Sequence, residues 1–478
     1  MSRFFRLSSL MLIIMMVFSP SAFAEADAEE ETPSVPFNDS FYNPFLSTAN
    51  DPWVVKGEEW YYYCFSLSGL HLVRSRTLSG LDAAELQPEN NIVMAVGQNQ
   101  TDIWAPELHH YQNHWYIFYA ADYNCDNTQH RMYVMRSQTD DPFGKWDAPV
   151  KLRLPDDQWA IDGTFFEYED GRIFLVWSGW ESMADASNSK QRLYIAQLET
   201  GDPTKVISTE RVLISTPTLD WETVSMPINE GPTVIASPNG TYYCIYSASF
   251  SGSDAYAIGA IRLNGEPLDK DAWEKLPQPI LSSDAERKIY APGHASFVQS
   301  PDETETWMIY HTAKASGSGW VRSGRAQRLI WVNDIPTIEN GLTDNDTLQP
   351  MPSGEETNRI LIRLADGELN ENAVVLSDGT VSLPDVSAKA KVYVTAEKAG
   401  QYAIYIRHTA KQWKDNTTLR ITVNGNKRFT TTASRSEAGQ FVIDRFLVTL
   451  TEGLNTLTLQ VNHETEFDVL VMDKTPYR

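Results

Sequence analysis

A run of aromatic and β-branched residues recurs five times in the first two thirds of the chain, and this repeat constrains the fold more than any other feature. Successive runs start 55 to 69 residues apart, at Trp60, Trp115, Arg172, Thr241 and Thr306. Most runs are followed by a second strand-like segment, and the turn signals "EDG", "PNG" and "PDE" precede three of them. Repeats of this length, each able to form a small antiparallel sheet, are typical of propeller blades. We therefore predict an all-β protein with a five-bladed β-propeller over residues 40–343.

Just upstream of these runs, short apolar segments open on a polar or ionisable residue beside Gly or Pro. Asp51, Asp162, Glu230 and His294 lie 9, 10, 11 and 12 residues before the starts of their runs. The first strand of each propeller blade lines the central axis, so equivalent positions in successive blades converge. Taken singly, Asp in "NDP" or "IDG" is commonly a turn residue, because its side chain bonds nearby backbone. The recurrence at one phase of the repeat instead predicts that three carboxylates and a histidine share one axial pocket.

Several carboxylates in one pocket favour acid–base chemistry. Burial and mutual repulsion raise the pKa of at least one of them, which suits a general acid, while a neighbour stays ionised as a base. Two carboxyl groups about 6.5–9.5 Å apart give inverting glycoside hydrolysis. Flat aromatic rings stack on the C–H faces of sugars, and several tryptophans lie near the axial motifs or their exits: Trp53, Trp104, Trp159, Trp177 and Trp180.

The ordered set of motifs resembles glycoside hydrolase family 43, the five-bladed-propeller arabinases, arabinofuranosidases and β-xylosidases. The segments "NDPWVV", "WAPELHH", "WAIDGTFF", "INEGPTV" and "APGHASF" look like successive blade motifs of that family. The longer stretches "ELHHYQNHWYIFYAAD" and "WVRSGRAQRL" are most similar to its exo-acting α-L-arabinofuranosidase branch. The resemblance covers about residues 40–340. It implies removal of terminal α-L-arabinofuranosyl units from arabinan or arabino-oligosaccharides, with no cofactor required for the chemistry.

The resemblance also implies roles for individual residues. The general base falls on Asp51, the general acid on Glu230, and the acid that orients Glu230 and tunes its pKa on Asp162. Arg325 resembles a substrate-contacting arginine near the base, and His294 an axial histidine that helps hold a calcium ion or its water shell. The further substrate-binding positions that we expect are Trp53, Trp104, Glu107 and Trp177. The chain has "APGHA", with Ala291 and Ala295, where the family often has "GPGHN". Whether a calcium ion binds therefore stays an open question at this point.

The C-terminal third differs in composition and pattern. Residues 344–358 are polar and contain Pro and Gly, and we interpret them as a linker. Residues 359–478 read as alternating strands with a hairpin signal in "VNGNK", which predicts an antiparallel β-sandwich or jelly roll. The segments "AGQYAIYIRHT" and "EGLNTLTL" resemble carbohydrate-binding modules of the family 6 and 35 type. Trp413 is then the candidate stacking platform for a sugar; the alternative is a packing module that binds none.

The N-terminal sequence and the net charge limit the compartments and the partners that are compatible with this chain. Residues 1–24 carry basic residues, a short apolar run and "SAFA", which together predict a signal peptide and a periplasmic or secreted protein; an acidic spacer follows at 25–39. The formal net charge of −24 argues against nucleic acid or an anionic membrane as a partner. Three cysteines, Cys64, Cys125 and Cys244, leave at least one thiol unpaired and show no metal-ligand spacing.

Other functions on the same scaffold stay open at this point. A β-xylosidase or an endo-arabinanase would use the same three acids, and loop shape, which separates exo from endo action, is not readable from the sequence. A sugar-binding propeller without catalysis is the third alternative. The natural polysaccharide and the oligomeric state are likewise open.

Overall fold

Nearly all regular structure in the described residues is β-strand, as the periodicity predicts. The computed structural model describes residues 40–67, 69–84, 89–187, 189–345, 347–356, 359–410, 417–433 and 441–474. The predicted signal peptide, the acidic spacer and Trp413 lie outside the described residues. Helical structure within the described ranges is confined to α1 (Leu81–Ala84) and to short 3-10 turns at Asn127–Gln129, Met183–Ser187, Asp220–Glu222, Lys270–Ala272 and Leu364–Asp366. In the same ranges, no helix has the length and apolar character needed to cross a bilayer.

Five antiparallel sheets follow one another along the chain. The first contains β2 (Trp53–Lys56), β3 (Tyr61–Ser66), β4 (Leu70–Ser75) and β5 (Asn91–Met94). The second contains β6 (Gln100–Tyr111), β7 (His114–Tyr123), β8 (Arg131–Arg136) and β9 (Val150–Lys151). The third contains β10 (Ala160–Glu167), β11 (Ile173–Gly179), β12 (Arg192–Glu199), β13 (Asp202–Val206) and β14 (Val212–Ser215). The fourth contains β15 (Asn229–Ala236), β16 (Tyr242–Ala248), β17 (Ala257–Leu263) and β18 (Trp273–Lys275), and the fifth contains β19 (Tyr290–Gln299), β20 (Thr306–Ala313), β21 (Arg322–Val332) and β22 (Ile335–Ile338).

The five sheets form a closed ring, because each packs its apolar face on the next and the fifth packs on the first. The aromatic runs of the sequence are the second strands, and their side chains fill the cores between neighbouring sheets. The closing core joins Tyr61, Tyr63 and Phe65 of the first sheet to Trp307 and Ile309 of the fifth. The first strands β2, β6, β10, β15 and β19 contact one another in the same cyclic order and form the inner wall of the ring.

The segment interpreted as a linker is partly built into the ring. Within 344–358, β23 (Leu348–Pro350) pairs with β1 (Ser40–Tyr42). Farther on, the Glu355 carboxylate accepts hydrogen bonds from the backbone N–H groups of Leu78 and Ser79, at 2.9 and 3.2 Å. This segment therefore ties the end of the ring to its beginning and is more than a free connection.

Two further sheets enclose one apolar core in the C-terminal unit, which we define as residues 359–474. One sheet contains β24 (Arg359–Arg363), β26 (Val374–Val375), β27 (Val381–Leu383), β29 (Gly400–Ala410), β32 (Val442–Leu450) and β34 (Thr465–Asp473). The other contains β25 (Glu368–Leu369), β28 (Ala390–Ala396), β30 (Thr418–Val423), β31 (Lys427–Thr432) and β33 (Gly453–Val461).

Polar contacts join the C-terminal unit to the ring. The Tyr42 hydroxyl donates to Asp468 at 3.2 Å, and Arg407 forms an ion pair with the same carboxylate. Arg445 donates to the backbone oxygen of Asp82 and lies 3.3 Å from its carboxylate. Asp82 in turn accepts hydrogen bonds from the backbone and the hydroxyl of Ser47, both at 2.8 Å. The C-terminal unit thus supports the segment that leads into the inner wall.

Replacing Arg445 with Met tests this support. Asp82 is 4% exposed, and the change leaves its carboxylate with fewer hydrogen-bond donors. We therefore expect the free energy of unfolding to fall by roughly 1–3 kcal/mol. Urea unfolding followed by circular dichroism measures this loss. Arg428→Met, on an exposed strand of the same unit, is the matched control and should change stability by less than about 0.5 kcal/mol. Equal effects of the two changes would contradict a supporting role for Arg445.

Candidate active site

A cavity of about 510 Å³ opens at one end of the ring, and residues of all five sheets or their loops line it. Its wall combines acids, cations, amides and aromatic rings. The lining residues are Asn50, Asp51, Ser66, Trp104, Asn127, Trp159, Ile161, Asp162, Trp180, Ser189, Gln191, Met226, Ile228, Glu230, Phe250, Ser251, His294, Trp320 and Arg322. The three acids and the histidine that the repeat predicts to converge are all present, so the structure brings these four residues together.

A kink at the same depth of each inner strand aims these side chains into the cavity. Each strand or its entry has at least one residue with a positive φ, among them Asp51 (47°), Ala105 (41°), Asp162 (52°), Gly231 (54°) and His294 (47°). In the second to fifth sheets the pairing register also shifts at this point. Such a bulge turns a side chain out of the regular alternation. At Gly231 a side chain would also lie 3.1 Å from His294 Nδ1, so both the backbone and the close approach favour glycine there.

Asp51 is held ionised by the cations around it. Its Oδ1 lies 3.2 Å from His294 Nδ1 and 3.5 Å from Arg322 Nη1. Burial by itself would raise the pKa of Asp51, but the neighbouring charges, His294 first, outweigh it and hold the pKa well below its usual range. The Asp51 backbone N–H donates to Nδ1 of His311 at 3.3 Å, a ring that burial and Arg322 keep neutral by lowering its pKa.

His294 is the cationic partner of Asp51. Burial would lower its pKa, but the charge and the hydrogen bond of Asp51 raise it to about 9. The imidazole is 3% exposed, and its backbone N–H donates to the Ser247 hydroxyl at 2.8 Å. His294 therefore carries its proton at neutral pH and compensates the charge of the base within the cavity.

Glu230 is the group with the opposite tendency. Burial raises its pKa to about 8, and the negative charge of Asp162 adds to this rise, while a hydrogen bond from Tyr256 partly opposes it. Asp162 accepts a hydrogen bond from the Gly231 N–H at 3.0 Å, and burial, its largest influence, raises its own pKa to about 6. At neutral pH the cavity thus presents an ionised Asp51 and a protonated Glu230, which is a base and an acid in one site.

The predicted arginine, Arg325, is not in this cavity. Its guanidinium donates to Asn345 Oδ1 at 2.7 Å and to the Thr343 backbone oxygen. Arg322, three residues earlier on β21, lies beside Asp51 and donates to the Ser251 backbone oxygen at 2.7 Å. Side chains alternate along a strand, so residues three apart point to opposite faces. The structure therefore places Arg322, and not Arg325, on the cavity wall beside Asp51. Strand parity separates the two arginines, but the strand boundary decides which of them faces the cavity.

Of the tryptophans predicted to bind substrate, one lines the cavity and two lie outside it. Trp104 lines the cavity and stacks on His130, with 3.9 Å between ring centroids. Trp53 and Trp177 do not line it: the Trp53 indole N–H donates to the Leu108 backbone oxygen at 2.7 Å, and Trp177 packs in the core between the second and third sheets.

Two other aromatic features complete the wall. Trp159 and Trp180 stack with 4.5 Å between centroids and both line the cavity. Among the tryptophans that the structure describes, only Trp320 is largely exposed, at 60%. Its indole N–H donates to the Ser251 hydroxyl at 3.2 Å and Phe250 packs edge-on against it. Trp320 and Tyr256 were missed because neither belongs to a repeated motif.

Glu107 lies behind the cavity wall. It is 1% exposed and its carboxyl lies 2.8 Å from His109 Nε2. Burial raises the pKa of Glu107 well above its ordinary value and lowers that of His109 to about 3. The pair is therefore a neutral hydrogen bond beneath the site, and the structure does not place Glu107 where it would touch a ligand in the cavity.

The residues around His294 do not fit a calcium ion held by protein ligands. An imidazolium has no free lone pair for a metal, and His294 is protonated by its pairing with Asp51. In the described ranges, no group of three or more His, Cys, Asp or Glu side chains is arranged to hold a metal. The cysteines are also outside the site, with Cys64 and Cys244 buried as free thiols and Cys125 free and exposed.

Comparison with known proteins places this site in a family. Residues 41–336 match the glycosyl hydrolases family 43. The chain is 32% identical over 286 residues to the extracellular exo-α-(1→5)-L-arabinofuranosidase of Streptomyces avermitilis, covering 57% of this chain and 56% of that protein. The protein of the same description from Streptomyces chartreusis is 30% identical over 280 residues, covering 57% of this chain and 82% of its own length. The chain thus spans just over half the length of the first relative.

A solved structure shows the same fold. The α-L-arabinofuranosidase from Lactobacillus brevis is 26% identical and superposes with a TM-score of 0.56, covering 64% of this chain and 98% of that one.

The raised pKa of Glu230 predicts a pH-dependent gain in stability for Glu230→Gln. The folded state holds this proton up to about pH 8, whereas the unfolded chain releases it near 4.5. Wild-type stability therefore falls as pH rises between these values, and the glutamine variant avoids that loss. We expect the variant to be equal to the wild type near pH 4.5 and more stable near pH 8.5, by on the order of 5 kcal/mol.

Urea unfolding at pH 4.5, 6.5 and 8.5 checks this prediction. Glu286→Gln, at an exposed position, is the control and should show no such trend. A stability difference that is the same at all three pH values would mean that Glu230 does not hold its proton in the folded protein.

Proposed function

The chain belongs to the glycosyl hydrolases of family 43, and from this premise we propose that it is an inverting exo-α-1,5-L-arabinofuranosidase on a five-bladed β-propeller. It releases terminal α-L-arabinofuranosyl residues from arabinan or arabino-oligosaccharides. The observation that carries the proposal is the pairing, in one cavity, of Asp51 held ionised with Glu230 held protonated. Family membership supplies the reaction class, and these two groups supply the opposite protonation states that a single displacement needs.

The proposed reaction follows from those protonation states. Asp51 accepts a proton from a water molecule, whose oxygen bonds to the anomeric carbon as the bond to the leaving oxygen breaks. Glu230 gives its proton to that leaving oxygen. After the step Asp51 is protonated and Glu230 is ionised, so exchange with solvent restores the starting state. No cofactor takes part in this chemistry.

The surrounding residues favour this division of roles. Burial and the charge of Asp162 raise the pKa of Glu230, so the acid stays protonated. His294 and Arg322 hold the base ionised, which limits its basicity but fixes its orientation at 3.2 and 3.5 Å. Tyr256 donates a hydrogen bond to Glu230 and so helps to orient the acid.

The substrate proposal rests on the cavity and on the relatives. A volume of about 510 Å³ lies within the usual range for small-ligand sites, and the exposed ring of Trp320 on its wall offers a flat face to a sugar. Both Streptomyces relatives are described as exo-acting on α-(1→5)-L-arabinofuranosyl linkages and as extracellular. We propose the same linkage, and export of this chain, on that similarity. Sugar binding by the C-terminal unit stays a prediction.

The first experiment compares wild type with Glu230→Ala on a linear α-1,5-linked arabino-oligosaccharide. Loss of the acid should reduce arabinose release about 100-fold or more, and Glu286→Ala should leave it unchanged. Proton NMR of the first turnover by the wild type should show the β-anomer of arabinose, because a single displacement inverts the configuration.

The same assay separates the alternatives. A ladder of internal fragments would indicate an endo-arabinanase, and release of xylose from xylosides would indicate a β-xylosidase. Binding of oligosaccharides without hydrolysis of any of these substrates would indicate a sugar-binding propeller.

Trp320 should contribute to binding of the substrate chain beyond the terminal sugar. It is exposed at the cavity rim and held by Ser251 and Phe250. We expect Trp320→Ala to lower kcat/KM on arabinotriose about 5- to 50-fold, in the range of a lost stacking contact. On α-L-arabinofuranosyl fluoride, which has no second sugar, the effect should be less than about twofold. Val321→Ala, an exposed neighbour that does not line the cavity, is the control, and equal losses on both substrates would contradict this role.

A further inference from the structure

A buried ion pair, Glu222 with Lys275, contacts Asn229, the residue directly before the acid Glu230. Glu222 is completely buried, and its two carboxylate oxygens lie 2.6 and 2.8 Å from Lys275 Nζ. Two backbone N–H groups, of Thr218 and Leu219, also donate to Glu222 at 2.7 and 2.8 Å, and the Tyr246 hydroxyl donates at 2.8 Å. The proposed reaction uses neither charge of this pair.

The ion pair is joined to the acid strand through Asn229. The Asn229 amide donates to Glu222 at 2.9 Å, and its oxygen accepts from Ser215 at 2.6 Å and from Lys275 at 3.3 Å. The backbone of Asn229 is also held, since its N–H donates to the Gln191 oxygen at 3.1 Å and its carbonyl accepts from Ser178 at 2.9 Å. Asn229 is fully buried, and every polar group on it has a partner.

Glu230 needs such an anchor because the sheet does not hold it on the other side. The pairing of β15 with β16 shifts register between Glu230 and Thr233, and Gly231 has a φ of 54°. The regular ladder therefore stops directly after the acid. Glu230 is the last residue in register before this break and Asn229 directly precedes it, so the fixed position of Asn229 sets the origin of the Glu230 side chain.

The same network holds one wall of the cavity. The segment between β14 and β15 includes the 3-10 turn Asp220–Glu222 and carries Met226 and Ile228, both of which line the cavity. Lys275 also donates to the Thr216 backbone oxygen at 2.5 Å, which ties the start of this segment to β18.

We propose that Glu222 and Lys275 are positioning residues that act through Asn229 to hold the Glu230 carboxyl at the leaving oxygen. This inference rests on the proposed acid role of Glu230. Proton transfer needs the donor within hydrogen-bond reach of the leaving oxygen, and a displacement of about 1 Å can cost on the order of 100-fold in rate. Loss of the network therefore weakens acid catalysis while leaving the base side of the cavity, Asp51 with His294, unchanged.

Leaving-group dependence tests this role. Hydrolysis of arabinobiose expels a sugar alkoxide and needs the acid, whereas 2,4-dinitrophenyl α-L-arabinofuranoside expels a stable phenolate and does not. We expect Asn229→Ala, which removes the link but keeps the ion pair, to lower kcat/KM on arabinobiose about 30-fold or more. On the dinitrophenyl substrate the loss should be less than about threefold. A structural role alone predicts equal losses on both substrates.

A second variant separates loss of positioning from loss of folding. Removing one charge would leave the other buried without its partner, but the double change Glu222→Gln with Lys275→Met removes both together. It should show the same selective loss on arabinobiose, with a circular dichroism spectrum like that of the wild type. The matched control is Arg328→Met with Glu339→Gln, which removes an ion pair of the fifth sheet and should change neither rate.

The outcomes separate this inference from the proposed function. Equal losses on both substrates, or no loss in either Asn229→Ala or the double variant, would overturn the positioning role. Failure of the wild type to cleave either arabinofuranoside would overturn the proposed substrate instead. The leaving-group comparison would then be made on 2,4-dinitrophenyl and disaccharide forms of whichever glycoside the wild type cleaves, and equal losses there would again overturn the positioning role.

Discussion

The kink that each inner strand makes at the same depth is the constraint on which the site depends. A regular strand would alternate its side chains between the two neighbouring cores, and no set of acids could face the axis together. Positive φ at Asp51, Asp162 and His294, and at Gly231 after Glu230, breaks that alternation in the sheets that carry the four site residues. These conformations are unfavourable for residues with a side chain. The closed ring of packed sheets holds them in place, so the core and the site are parts of one arrangement.

Burial gives the acids their different protonation states. The acids in the cavity lose solvation on burial, and the loss is offset differently at Asp51 and at Glu230. Asp51 keeps its charge because His294 and Arg322 face it, whereas Glu230 has Asp162 as its charged neighbour and keeps a proton instead. A neutral glutamic acid is far less costly to bury than a carboxylate. The glutamate at the start of a buried strand is thus accommodated by the same environment that suits it to donate a proton.

The all-β class and the convergence of Asp51, Asp162, Glu230 and His294 could be predicted because they recur with the repeat. The orientation of single side chains could not. Arg325 and Arg322 stand three residues apart in one basic stretch, and only the strand boundary decides which one faces Asp51. Trp53 and Trp177 lie close to the motifs in sequence yet point into the cores. Trp320 and Tyr256 reach the site from positions outside the repeated axial motifs, and the hydrogen bond from Lys275 to Asn229 joins residues distant in sequence.

Closure of the ring has a consequence for how the chain folds. The core that contains Tyr61, Tyr63 and Phe65 is completed by Trp307 and Ile309, and β1 pairs with β23, which follows the fifth sheet in the chain. Contacts between such distant segments slow folding, since the loop entropy must be lost before they form. As the chain is synthesised, the first sheet keeps one aromatic face uncovered until the fifth has emerged. A truncated chain that ends before the fifth sheet would keep that face exposed and be prone to aggregate.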